Sequence, residues 1–371
     1  MTNLSLILIT ARKDFPYAGR KNLHLFEPTL ESLKQQKMKD LELIIVDVDY
    51  ENRKDYFKNL DLPFTVKHVP SAPNIWISNG LPGVCQQHNR GIIHSDGELL
   101  FFFGDGNMFS PNFTEKIYDR FQEGYFPLAW YEYDLQYDKN AVLSGGKNSV
   151  SPIPYDICGY RGEKVFIEDR YNRVFEGNTR EYAPAPWEWW FGCSSAPLNA
   201  LLTVGGWDQR FDGDKMLMDA DLGSRLDLAG YRSRFALFRD IFLTRCKLDV
   251  GRYCFDAAKD NRGFEVTIKC NFGLLWYSRY FHRFKANFQR LEDFDITWIK
   301  NEFCVKYCPN RKNCRENHPW QYKFRHKEGF VGHGSSKKWW EFWREHQGLI
   351  DLTKERKLRI AGEKYTDGTF T

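Results

Sequence analysis

The sequence predicts an α/β fold: a Rossmann-like, mostly parallel sheet followed by a helical C-terminal extension. Two observations predict it. In the N-terminal third, short apolar runs alternate with stretches of helical spacing, the rhythm of strand–helix–strand units. Beyond about residue 275 the sequence becomes aromatic and basic and carries a cluster of cysteines. The expected division is 1–275 for the sheet domain and 276–371 for the extension. Length and composition agree. A chain of 371 residues, 42% hydrophobic and 27% charged, is ordinary for a globular protein and can bury a sizeable core.

Each element has its own signal. Leu4–Thr10 is an apolar run that reads as a buried strand. Thr29–Lys39 reads as a helix with Leu30, Leu33 and Met38 on one face. Leu43–Val48 and Phe64–Val69 read as the next two strands, His88–His94 as a helix, and Glu98–Phe103 as a further strand. Residues 138–186 are rich in Gly, Pro, Asn and Tyr and read as loops with short strands. Order resumes at Leu198–Val204, and Asp219–Gly230 reads as a helix bearing Leu222, Leu226 and Leu228. No internal repeat or low-complexity tract interrupts the chain. Ligands on parallel sheets bind at the carboxyl ends of the strands. The residues that follow each strand are therefore the first candidates for a site.

Composition narrows the function classes. Residues 4–10 are too short for a secretory leader, and no apolar run approaches the ~18–20 residues that span a bilayer. Nine cysteines, an odd number, suit a reducing compartment better than a disulfide scaffold, so a cytoplasmic location is expected. The net charge is only +4, but residues 301–360 hold 14 Lys+Arg against 7 Asp+Glu. Such a segment attracts phosphate, nucleic acid or an anionic glycan, although a solvated surface is the commoner cause. Aromatics at 16% supply faces for stacking on sugars or bases, or simply fill a large core.

The candidate site residues fall in a fixed order. The first strand ends in Thr10-Ala11-Arg12 and the second in Asp47-Val48-Asp49. His88-Asn89-Arg90-Gly91-Ile92 follows, and then Asp96-Gly97-Glu98 leads into a strand that ends in Gly104-Asp105-Gly106-Asn107. About a hundred residues later come Gly205-Gly206-Trp207-Asp208 and Asp219-Ala220-Asp221-Leu222-Gly223-Ser224-Arg225-Leu226. A carboxylate after a buried strand, as at Asp47, can accept hydrogen bonds from a base or ribose edge, or cap the next turn. Glycines beside Asp105 allow the backbone to approach phosphates closely, and equally suit a tight turn. Trp187-Glu188-Trp189-Trp190-Phe191-Gly192 clusters aromatic faces fit for a flat acceptor or for core packing.

This order resembles the family 2 glycosyltransferases of the GT-A fold. Its later half is similar to the C-terminal motif of the galactosyltransferases, a Gly-Gly-aromatic-Asp followed by an acidic cluster and Leu-Gly-x-Arg-Leu. The resemblance covers roughly residues 4–240. It implies a hexosyltransferase-type enzyme that moves a sugar from a nucleotide-sugar donor, UDP by default, to a hydroxyl of a glycan or other acceptor, with inversion. It implies that Thr10, Ala11 and Arg12 wrap the nucleotide and that Asp47 contacts the base. Asn89, Asp105, Gly106, Trp190 and Gly192 would complete the donor site. Asp105 stands in the slot of the family's Asp-x-Asp, whose carboxylates hold Mn²⁺ or Mg²⁺ on the diphosphate. Here Asn107 replaces the second carboxylate, and the stretch Asp240–Val250 lacks the metal-binding His that many relatives carry. Asp219 matches the general base, and Asp221 a residue that is structural or orients the site. Carboxylates at helix starts also serve as caps. The single carboxylate at the metal slot keeps open a non-catalytic nucleotide-sugar-binding protein.

A separate cluster, Cys304-x₃-Cys308-x₅-Cys314-x₃-His318, offers three thiols and an imidazole, a set that suits structural Zn²⁺. Unligated cysteines are the alternative. Arg311, Lys312, Arg315, Trp320, Tyr322, Lys323, Arg325 and Lys327 interleave charge and aromatics around it. That pattern can grip nucleic acid, so a hydroxymethylated base in DNA is a possible acceptor. An appendage for packing or acceptor docking is the plainer reading.

Overall fold

A computed structural model describes residues 2–10, 26–71, 83–104, 106–134, 158–160, 165–190, 193–211, 217–246 and 351–362, together with Leu275, Arg279 and Ala286. Backbone contacts divide the chain into two compact units. The first comprises Met1–Val69, Ser95–Leu198 and Ser233–Ala257, and the second Pro70–His94, Asn199–Arg232 and Ala258–Thr371.

The first unit carries two sheets. The central one is built from β1 (Leu4–Thr10), β2 (Leu41–Asp47), β3 (Thr65–Pro70), β4 (Leu99–Gly104) and the short β10 (Ser195–Pro197). Their order is β10-β4-β1-β2-β3. β1 runs parallel to both β2 and β4, and β10 closes one edge antiparallel to β4. This is the mixed α/β class with a mostly parallel central sheet that the sequence predicts. β1 and β2 are buried along almost their whole length, which explains why they read as continuous Leu/Ile runs rather than alternating ones.

Helices α1 (Glu27–Lys34) and α2 (Tyr50–Lys58) lie between these strands in sequence. α1 begins two residues before and ends five residues before the expected span. Leu30 and Leu33 are buried as predicted, and Met38 packs on the core from beyond the helix end. The early stop coincides with a tertiary contact. The buried Gln36 side chain donates to the carbonyls of Ser32 and Ser110 and accepts from the Thr114 amide. Thr114 lies in the first turn of α4 (Phe113–Gln122), whose own N-cap residue, Asn112, makes no side-chain cap. Gln36 thus supplies a cap from 78 residues away, an interaction worth about 1 kcal/mol.

The second sheet comprises β5 (Asn107–Phe109), β6 (Phe126–Asp134), β7 (Cys158–Tyr160), β8 (Val165–Glu168), β9 (Tyr182–Pro184) and β11 (Phe235–Cys246). It runs β5-β11-β6-β8-β7, with β9 also on β11, and among the described residues only β6 and β11 pair in parallel. Where described, residues 138–186 form the expected short strands plus one helix, α5 (Asp169–Phe175). One core cluster joins alternate residues of the first sheet (Leu4, Leu6, Leu8, Leu43, Ile45, Phe101, Phe103) to Phe113, Ile117, Tyr131, Phe238 and Leu243. Phe101, Phe103, Phe109 and Phe113 meet largely edge to face, with centroids 4.9–6.2 Å apart. Among the described residues, these aromatics are core.

At the amino edge of the central sheet, Glu42 is buried opposite Ser5. Its carboxylate accepts from Ser5 Oγ and from the amides of Asp96 and Gly97, and pairs with Lys67. A Cβ on Gly97 would lie 2.6 Å from the Ser5 nitrogen. The Asp96-Gly97-Glu98 motif is thus the entry turn of β4, held by a buried carboxylate.

The second unit contains α3 (Val84–His94), α6 (Leu198–Thr203), α7 (Met218–Leu226) and α8 (Leu352–Ile360). The helix expected over Asp219–Gly230 is regular to Leu226 and continues as a wider turn, Asp227–Tyr231, in which Gly230 takes φ +95°. Every side chain from Cys85 to Ile93 is buried. Arg356 donates to the carbonyls of Ile92 and Ile93, and Arg359 to that of His94. These are last-turn carbonyls that α3 cannot satisfy internally. Among the described residues, no helix is long and apolar enough to cross a membrane.

Candidate functional site

In the first unit, three parallel strands bring their carboxyl ends level. Thr10 is the register partner of Asp47, and Ile9 that of Gly104. The chain builds β1, β2 and β3 outward in one direction and then places β4 on the other side of β1. That reversal makes the β1/β4 junction a topological switch point, where open α/β sheets bind ligands. Thr10, Asp47 and the Gly104–Asn107 turn, separated by up to 97 residues of sequence, share this edge. Ala11, Arg12 and Asp105 lie outside the described residues.

Asp47 is 0% exposed and its carboxylate is engaged on both oxygens. Oδ1 accepts the Asp49 amide at 2.8 Å and stands 3.4 Å from Arg53 Nη1. Oδ2 lies 3.0 Å from His68 Nε2. Arg53, buried on α2, also pairs with Asp49 and lies over the Phe26 ring. Asp47 therefore organises the end of β2 rather than presenting a free carboxylate. Sequence reasoning missed both Arg53 and His68. An Arg in a largely polar helix and a single His in a strand carry no spacing signal.

The turn after β4 combines two features suited to an anionic ligand. Gly106 takes φ +74°, a backbone open to glycine. Asn107 is buried, and its Nδ2 donates to the Gly104 carbonyl at 2.7 Å. Its Oδ1 is buried with no hydrogen-bond partner. An orphan amide oxygen fits a hard divalent cation, which accepts carbonyl-type oxygens and completes its shell with phosphate and water. Among the described residues no group of three or more His, Cys, Asp or Glu side chains forms a metal site.

The acidic motif lies in the second unit. Asp219 and Asp221 both fall in the first turn of α7 but differ in surroundings. Asp219 is half-buried. Asp221 is fully buried, and its Oδ2 accepts from Arg225 Nε at 2.7 Å. Arg225, also buried, donates through Nη1 to the carbonyls of Val204 and Gly206. Asn89 on α3 brackets the same turn. Its Nδ2 donates to the Trp207 carbonyl and its Oδ1 accepts the Trp207 amide, both at 2.8 Å. Both amide atoms of Asn89 are thus committed to the Gly-Gly-Trp-Asp turn, in which Gly205 and Gly206 hold positive φ. His88 stacks on Trp207 with centroids 4.2 Å apart, and burial pushes its pKa down to about 3, so the ring is neutral at pH 7.

No family model and no curated protein matches the chain. Among solved structures, it is similar to S. aureus TarS at 13% identity and a TM-score of 0.39, covering 82% of this chain and 46% of that one. A crystal structure of S. aureus TarS 1-349 gives 12% identity and a TM-score of 0.39, covering 84% of this chain and 77% of that one. This chain spans less than half of the first of these structures. Similarity at that level is too low to transfer an activity.

Two further sequence expectations can be placed. Trp190 is 0% exposed and packs near Phe102 in the first unit's interior, so its face is not open to a sugar. The half-exposed members of that cluster are Trp187 and Trp189, whose turn is held by Arg170 donating to the Trp189 carbonyl. Gly192 and the proposed zinc set, Cys304, Cys308, Cys314 and His318, lie outside the described residues, as do the basic and aromatic residues around that set.

Proposed function

We propose that the protein is a GT-A-type glycosyltransferase that transfers a sugar from a nucleotide-sugar donor to an acceptor hydroxyl with inversion. The observation that carries this reading is the shared carboxyl edge of β2, β1 and β4. There Thr10 and Asp47 are register partners, and the Gly104–Asn107 turn combines a left-handed glycine with an orphan buried oxygen. In this reading the edge holds the nucleoside diphosphate. Asp105 and Asn107 Oδ1 would hold Mn²⁺ or Mg²⁺, which supplies charge stabilisation to the leaving diphosphate. Asp219 takes the acceptor proton, because it is the half-exposed carboxylate of the acidic motif. Asp221 is locked to Arg225 and holds α7 against the Gly-Gly-Trp turn.

A screen of nucleotide sugars for thermal stabilisation, with and without Mn²⁺, tests the donor and the metal together. A donor at 100 times its Kd stabilises the fold by about 2.7 kcal/mol. Asp219→Asn should keep that stabilisation and lose sugar transfer. Retained transfer would remove Asp219 from the mechanism, and no stabilisation by any nucleotide sugar would remove the donor site.

A further inference from the structure

A second buried group at this edge with an unmet hydrogen-bonding capacity, besides Asn107, is an imidazole. His68, near the carboxyl end of β3, has a side chain only 7% exposed. Its Nε2 faces Asp47 Oδ2 at 3.0 Å, and its ring is held by Tyr50 and Phe57, with centroids 4.5 and 4.4 Å away. A carboxylate oxygen only accepts, so the bond requires the proton on Nε2. In the neutral ring that tautomer leaves a lone pair on Nδ1. Nδ1 is buried and has no hydrogen-bond partner. The Asp47 oxygens are taken by the Asp49 amide, Arg53 and His68 itself. With the ring neutral, the site therefore holds one unmet acceptor, fixed in tautomer by a carboxylate and fixed in orientation by two rings.

We propose that His68 Nδ1 accepts the ring imide N–H of a uracil-type base, and that His68, rather than the Asp47 carboxylate, reads the base of the donor. The proposal rests on the nucleotide-sugar reading above. Uracil presents a single N–H donor at N3 between two carbonyls, which a lone acceptor matches. Cytosine presents a lone pair at the same atom, and two acceptors repel. Guanine presents two adjacent donors, one of which would be left unmatched. Asp47 then acts as a positioning residue through the imidazole.

The test is calorimetric binding of UDP, CDP and 3-methyl-UDP, in which a methyl group replaces the N3 hydrogen, to the wild-type protein and to His68→Phe. The phenyl ring keeps the aromatic sandwich and removes both nitrogens. Wild type should bind UDP at least about ten-fold more tightly than CDP or 3-methyl-UDP. His68→Phe should bind all three alike, at the level of wild type with CDP. A variant that keeps the UDP preference overturns the role of His68. If His68→Phe does not fold, the wild-type comparison decides, because equal binding of UDP and 3-methyl-UDP also overturns it. Wild type binding UDP and CDP equally would sink His68 and leave the donor site standing. Binding of no nucleoside diphosphate would sink both.

Discussion

Asp219 and Asp221 stand two residues apart on one helix turn, yet substituting each should have opposite consequences. Asp221 and Arg225 are each about 1% exposed and joined at 2.7 Å, and Arg225 also donates to two backbone carbonyls. Asp221→Asn keeps the shape and removes the charge, leaving a guanidinium buried without its counterion. Breaking a buried pair in this way costs about 3–5 kcal/mol. At about 2–4 °C per kcal/mol for a unit of this size, the unfolding midpoint should fall by roughly 6–20 °C. Asp219→Asn alters a half-exposed position and should shift stability by no more than about 0.5 kcal/mol, while abolishing sugar transfer. Thermal and denaturant unfolding of both variants, read beside transfer rates, separates the roles. An Asp221→Asn midpoint within about 2 °C of wild type would show that the pair does not hold the turn. A comparable loss of stability in Asp219→Asn would show that the two carboxylates share one structural role.

Three other outcomes are expected. Glu42→Ala removes the acceptor of Ser5 Oγ and of the Asp96 and Gly97 amides and leaves Lys67 with Asp96 alone among these partners, so the denaturant midpoint should report a loss of about 3 kcal/mol. Gly206→Ala places a Cβ against the Leu352 side chain and 2.6 Å from Asn89 Oδ1 at φ +70°, and should cost more than about 2 kcal/mol by the same assay. His88 titrates at about 3 when folded against 6.5 otherwise, so between those values the unfolded chain binds a proton that the folded chain does not. Its contribution to stability is therefore complete above pH 6.5 and is lost as pH falls towards 3. The difference in thermal midpoint between wild type and His88→Phe should change steadily from pH 7 to pH 4.

The sequence by itself determined the mostly parallel sheet and the strand ends that make up its carboxyl edge. Leu4–Thr10 and the Leu-Ile-Ile-Val run could only be strands buried on both faces, and strand–helix alternation forces parallel neighbours. The second sheet was hidden, although Phe126–Tyr131 is largely apolar, because pairing between β6 and β11 joins segments more than a hundred residues apart. Local spacing carries no record of such contacts. The same holds for Gln36 capping α4 and for Arg356 capping α3.

At the candidate sites, residue type was legible and availability was not. Asp47, Asn89, Trp190 and Asp221 were all singled out from the sequence, and all four are fully buried. Whether a carboxylate meets a ligand or a guanidinium depends on what lies across the fold from it. Asp47 acquires Arg53 and His68, and Asp221 acquires Arg225, so neither is free. Asn107 Oδ1 and His68 Nδ1 are among the buried atoms left without a hydrogen-bond partner. A sequence states which hydrogen-bonding groups a chain owns, and only the packed structure settles which of them remain unmet.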